Sequence, residues 1–131
     1  MEAVAKLKNC PMSARKMRLV ADSIRNMEAN KALDVLRFTR KEAAGWLEKL
    51  VLSAISNWGQ KTNQDPESFD LYIKTILVDE GPSLKRFRPA PYGRAHRIRK
   101  RTNHVTVIVE NRVFLESDEL ELEEDYVDEE E

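Results

Sequence analysis

Residues 71–109 read LYIKTILVDEGPSLKRFRPAPYGRAHRIRKRTNHVTVIV, and two different kinds of chain meet in them. At the two ends, residues 71–78 and 105–109 are rich in Ile, Leu, Val and Tyr and read as β-strands. Between them Gly81, Pro82, Pro89, Pro91 and Gly93 punctuate a stretch of more than 20 residues, whereas a hairpin loop usually has about 2 to 5. That stretch has few apolar side chains to bury against its own domain, so a partner must offset the entropy of ordering it. Two arms of about 10 residues, rising ~3.3 Å per residue, would carry the tip about 30 Å beyond the sheet.

The composition of the stretch names the class of partner. From Gly81 to Val109 there are eight cations, Lys85, Arg86, Arg88, Arg94, Arg97, Arg99, Lys100 and Arg101, and no carboxylate. Ordinary surfaces intersperse both signs. Phosphate contacts release condensed counterions, and the planar arginine fork bonds phosphate bidentately while also stacking on bases. Phe87, Tyr92, His96 and His104 are interleaved among the cations, and such rings can stack on unpaired bases in folded RNA. Glycine and proline let a narrow ribbon turn and thread between crowded backbones, a shape for which a reader of flat duplex DNA has less use.

Working toward the N-terminus, residues 3–8 alternate weakly as an edge strand would, with Ala3, Ala5 and Leu7 on one side, and Pro11 ends the run. Ser13 can cap a helix running to about Arg25, with Met17, Val20, Ala21 and Ile24 on one face and Arg15, Lys16, Arg18 and Arg25 largely outside it. A second short helix can start at Asn30, turning Leu33 and Leu36 inward. Thr39 and Glu42 have capping-box spacing for a third helix, whose stripe of Ala44, Leu47, Val51, Ala54, Ile55 and Trp58 would end at Gly59. Residues 61–68 follow as a polar loop. The expected fold is α/β of the α+β kind: a small antiparallel three-stranded sheet from residues 3–8, 71–79 and 105–110, covered by three helices, with a long protruding β-hairpin at 81–104.

A net charge of -1 conceals two opposite regions: residues 1–109 carry 21 Lys and Arg against 11 Asp and Glu, and residues 110–131 carry 1 against 12. The expected organisation is therefore one basic α/β domain over residues 1–112 and an acidic tail over 113–131, disordered by self-repulsion and on the side away from RNA. Leu120, Leu122, Tyr126 and Val127 leave room in that tail for a short helix docking a basic neighbour. The lone Cys10 rules out an internal disulfide or a cysteine-rich zinc site, and reads as a small, partly buried apolar residue in a reducing compartment. No apolar run of membrane-spanning length and no secretory signal is present, which points to a cytoplasmic chain.

Catalysis has no foothold. Asp79 and Glu80 precede a Gly-Pro turn and read as turn or arginine-pairing residues, while His96 and His104 lie among cations. No nucleophile, glycine-rich phosphate loop or metal-ligand spacing accompanies them, so neither an enzyme nor a cofactor or metal site is expected. Two non-enzymatic readings remain: a structural RNA-binding component, and a free RNA-binding chaperone whose acidic tail is autoinhibitory, competing for its own basic loop.

The ordered blocks Val78-Asp79-Glu80-Gly81-Pro82-Ser83-Leu84-Lys85-Arg86, Gly93-Arg94-Ala95 and Lys100-Arg101-Thr102-Asn103-His104-Val105-Thr106-Val107 resemble the bacterial large-subunit ribosomal protein L22 family. Ser13-Ala14-Arg15-Lys16-Met17-Arg18-Leu19-Val20-Ala21-Asp22, Ala32-Leu33-Asp34-Val35-Leu36 and Lys41-Glu42-Ala43-Ala44 follow that family's order, and the likeness covers residues 3–112. The resemblance implies a ribosome-bound structural constituent of the large subunit that organises 23S rRNA near the exit of the nascent-peptide tunnel. It further implies rRNA contacts by Arg15, Lys16 and Arg18 and by Lys85, Arg86, Arg88, Arg94, His96, Arg97, Arg99, Lys100, Arg101 and His104. A tip of Arg88, Pro89, Ala90, Pro91, Tyr92, Gly93 and Arg94 would line the tunnel beside the nascent peptide, near the narrowing shared with protein L4, with other large-subunit proteins around the exit.

Overall fold

Small side chains on one side of the first strand decide how closely a helix can approach it. In the computed structural model, which describes residues 2–89 and 91–112, strand β1 (Glu2–Cys10) buries Ala3 and Ala5, and the long helix α3 (Glu42–Thr62) lies across it. Strand β5 (Asn103–Asn111) alternates strictly, burying Val105, Val107 and Val109, and occupies the centre of the sheet. It pairs antiparallel with β1 on one side and with β2 (Leu71–Glu80) on the other, in the order β1-β5-β2. β1 and β5 extend beyond the expected spans at both ends and β2 at its C-terminal end, because the pairings Glu2↔Glu110 and Glu80↔Asn103 continue the ladder into polar sequence that hydropathy does not mark.

The helices cover one face of this sheet. Helix α1 (Ala14–Ile24) turns Met17, Val20, Ala21 and Ile24 inward, and its first turn is capped by the Ser13 hydroxyl oxygen, which accepts from the Lys16 N–H at 3.4 Å. Helix α2 (Ala29–Phe38) packs Ala32, Leu33 and Leu36 against α3. Leu47, Val51, Ala54 and Trp58 of α3 are buried, and Trp58 meets Phe69 with ring centroids 5.6 Å apart.

Two expected helix ends are different. Thr39 does not open α3: its hydroxyl donates to the Val35 carbonyl at 2.7 Å and closes α2, while Lys41 stands at the N-cap of α3 without a side-chain bond. Thr39 lies near both ends, and the carbonyl one turn back is the nearer acceptor. Gly59 does not end α3, which runs on to Thr62 and stops where Asn63 turns left-handed at φ 56°. A Cβ at Gly59 would lie 3.3 Å from the Pro66 ring, so the glycine admits the short 3-10 turn Pro66–Phe69 rather than breaking the helix. Helix α2 also begins one residue earlier than Asn30.

At the end of the sheet opposite the hairpin, polar groups tie the three strands together. Lys74 of β2 bonds Glu2 of β1 and lies 3.3 Å from Glu110 of β5, which also accepts from the Tyr72 hydroxyl at 3.0 Å. The two carboxylates raise the Lys74 pKa, and desolvation followed by the Glu110 contact raises that of Tyr72. The Arg112 guanidinium sits 4.8 Å from the centre of the Tyr72 ring. The acidic tail expected at 113–131 lies outside the described residues.

Candidate nucleic-acid interface

Beyond Glu80 and Asn103 the chain leaves the sheet as a ribbon of two strands, β3 (Leu84–Pro89) and β4 (Ala95–Lys100), which form a sheet of their own. The register Leu84↔Lys100, Arg86↔Ile98, Arg88↔His96 alternates with Lys85↔Arg99, Phe87↔Arg97, Pro89↔Ala95. Side chains directly opposite share a face and successive ones alternate. One face therefore carries Arg86, Arg88, His96 and Lys100, and the other carries Lys85, Arg97 and Arg99.

Among the described residues no hydrogen bond or ion pair joins these two strands to the body. Every residue of β3 and β4 except the half-buried Ile98 is exposed, Phe87 at 68%. Lys85 stands opposite Arg99, a like-charge pairing that destabilises the ladder. Among the described residues none of the ribbon's cations is in an ion pair, and the Arg86 guanidinium reaches only the neighbouring Lys85 carbonyl, at 3.0 Å. An isolated two-stranded hairpin is marginal in water. Polyanion on both faces would relieve the repulsion and supply the missing contacts.

The tip turns at Pro91–Gly93, where Tyr92 and Gly93 take left-handed φ values of 65° and 69°. Tyr92 is wholly exposed, and Arg88 and Arg94 on either side of the turn are exposed; Ala90 lies outside the described residues.

The neck is more tightly built. The Gly81 N–H donates to the Thr102 carbonyl at 2.9 Å, and the Thr102 hydroxyl donates to the Pro82 carbonyl at 2.6 Å. A Cβ at Gly81 would lie 2.5 Å from that hydroxyl oxygen, so glycine is required by close approach. His104 belongs to the neck rather than the ribbon: its Nδ1 accepts from the Asn9 N–H at 3.1 Å, where β1 bulges and Asn9 takes φ 56°. Nδ1 as acceptor places the proton of the neutral ring on Nε2, which stays available as a donor.

The first-helix cations divide. Arg15 and Lys16 are exposed, whereas Arg18 donates to the Val78 carbonyl at 3.0 Å and so helps cover the open edge of β2. Arg25 does the same at the Ile76 carbonyl, 2.9 Å away. The fold brings Arg15 and Arg18 together with Arg101 of the neck around a cleft of about 330 Å³ that Glu80 also lines. Sequence spacing could not show this, because the residues are separated by most of the chain; the only local signal was the Ser13 cap that places the start of α1. Among the described residues no group of three or more His, Cys, Asp or Glu is placed to hold a metal ion. No helix among them is long and apolar enough to cross a membrane.

The α+β body and its exposed ribbon, which carries cations on both faces and no carboxylate between Gly81 and Val109, define a small α+β protein with a protruding basic hairpin. Residues 5–110 match the family described as Ribosomal protein L22p/L17e. Similar proteins include the large ribosomal subunit protein uL22 of Bacteroides fragilis strain YCH46, 59% identical over 108 residues, covering 82% of this chain and 79% of the relative. That of Flavobacterium psychrophilum is 60% identical, with the same coverage of each chain, and that of Porphyromonas gingivalis strain W83 is 56% identical over 81% of this chain and 79% of its own. The chain belongs to the L22p/L17e family of ribosomal proteins and is a structural ribosomal constituent, not an enzyme.

Proposed function

We propose that the chain is built into the large ribosomal subunit in the cytoplasm, where it binds and organises 23S rRNA. The observation that carries this reading is the ribbon: cations on both faces, no carboxylate between Gly81 and Val109, and no core of its own. Lys85, Arg86, Arg88, Arg94, Arg97, Arg99, Lys100 and Arg101 contact rRNA, with His96 beside Arg88 on one face. Arg15 and Lys16 extend the interface onto α1. Arg18 and His104 act at the neck, each with part of its bonding capacity held by the protein.

The tip from Arg88 to Arg94 lines the nascent-peptide tunnel near protein L4, and the basic domain spans residues 1–112. The carboxylates of residues 113–131 repel rRNA. Support for the tunnel reading is the turn itself: the full exposure of Tyr92 and the crowding of cations in the arms separate anchoring from whatever the tip touches.

Sedimentation tests the first part. The chain should remain with large subunits at moderate salt, whereas a free chaperone would run in the soluble fraction. Deleting residues 89–92 tests the second. Subunit yield should be close to normal while macrolide inhibition or stalling at an arrest peptide changes. Normal yield with both responses unchanged would remove the tunnel assignment and leave RNA binding standing.

A further inference from the structure

On the helical side of the body, away from the ribbon, a groove of about 290 Å³ runs between the start of α2, the C-terminal half of α3 and the turn after it. Its floor is apolar: Leu33 and Leu71 are buried, Ile55 is half-buried and Leu52 is 44% exposed. The ionisable groups lining it are all carboxylates, those of Glu28, Asp65, Glu67 and Asp70. Residues 1–109 hold only 11 Asp and Glu against 21 Lys and Arg, so four acids on one groove with no cation among them is a marked local reversal of sign.

Charge selects the occupant. RNA phosphates would be repelled from this rim. Residues 113–131 follow Arg112, whose N–H bonds the Asp70 carbonyl at 3.3 Å, but they carry the same sign as the groove. We propose that the groove docks a positively charged segment of a neighbouring protein, seating an aliphatic side chain on Leu52 and Ile55 while its Lys or Arg groups pair with Glu28 and Glu67. The apolar floor supplies burial and the acidic rim selects the sign, a division usual at small protein interfaces. This inference concerns a different face from the RNA-binding ribbon and does not depend on it.

Two experiments on the full chain test it. In solution, a short peptide of alternating lysine and leucine is titrated while the methyl signals of Leu33, Leu52 and Ile55 are followed by NMR. Those methyls should shift saturably, several-fold more weakly in a variant carrying Glu28→Lys and Glu67→Lys, and little with glutamate-leucine or lysine-serine peptides. Shifts absent from these methyls, or equal for any control peptide, would overturn the proposal. In purified large subunits, a benzophenone side chain replacing Leu52 should cross-link to a lysine- or arginine-rich segment of another protein. Adducts to rRNA, to a second copy of the chain, or to nothing would overturn it. Since the peptide experiment needs no ribosome, loss of subunit binding by the chain would be seen separately, by sedimentation.

Discussion

Three glycines sit in three different environments, and the structure gives each alanine variant its own sign. Gly81→Ala puts a Cβ 2.5 Å from the Thr102 hydroxyl oxygen and 3.3 Å from two atoms of the His104 ring. Thr102 has one short side chain with which to yield, and rotating it breaks the 2.6 Å bond to the Pro82 carbonyl. Losing such a bond costs about 0.5–1.5 kcal/mol, and forcing extra volume into a packed site costs about 1–3 kcal/mol. The alanine also restricts the unfolded chain, which offsets about 0.4–1 kcal/mol. The net expectation is a loss of about 0.5–4 kcal/mol, with local separation of the ribbon from β2 and β5. Gly45 lies exposed inside α3 with nothing within 4 Å of a built Cβ, so Gly45→Ala should stabilise by about 0.5–1 kcal/mol. Gly93 has equally open space but φ +69°, so alanine there strains only the tip and should leave global unfolding nearly unchanged. Urea unfolding followed by tryptophan fluorescence measures all three. The decisive variant is Gly81→Ala made together with Thr102→Ala, which removes the obstructing hydroxyl and should recover at least about 0.5 kcal/mol as coupling between neighbours. A Gly81→Ala protein as stable as the parent, or a double variant showing no coupling, would refute the close-approach account of the neck.

Replacing Lys85, Arg97 and Arg99 by alanine, and separately Arg86, Arg88 and Lys100, should each lower the salt dependence of rRNA affinity by about three units, one per lost phosphate contact; a response from only one set would mean that RNA covers one face of the ribbon. Leu47→Ala, at a fully buried position on α3, should cost about 2–5 kcal/mol in urea unfolding without changing that salt slope per molecule folded. Tyr72 and Lys74 both have raised pKa values in the folded chain, so their contributions are complete below the usual ~10 of the unfolded groups and are lost as pH rises through the folded values. Stability should therefore fall above pH ~10, and less steeply in a Tyr72→Phe variant, as measured by urea unfolding across that range.

Most of the fold was legible in the sequence because its signals are local. Alternating Val105, Val107 and Val109 and the stripe Leu47, Val51, Ala54 and Trp58 are periodicities that tertiary structure had only to assemble. Helix ends were less legible. Thr39 can serve either of two helices, and Gly59 is explained by Pro66, which approaches from beyond the helix. At the interface, composition singled out the ribbon's cations, but only the register shows that they cover both faces. The use of Arg18 and His104 within the protein was hidden for a different reason. Their acceptor and donor, the Val78 carbonyl and the Asn9 N–H, are backbone groups contributed by distant strands, and no side-chain pattern announces them.

The central claim, that the ribbon lies between rRNA surfaces inside the large subunit, is tested most directly by hydroxyl radicals generated at its two faces. Cys10 is 1% exposed, and its thiol pKa is raised by burial and then by the Glu42 carboxylate, so the parent chain should resist labelling and single-cysteine sites can be chosen freely. An iron chelate attached at Lys85→Cys faces one side of the ribbon and one at Arg86→Cys faces the other. In assembled large subunits each should cleave 23S rRNA strongly, at two distinct sets of nucleotides. Cleavage from one position alone, the same set from both, or none from either would contradict the account.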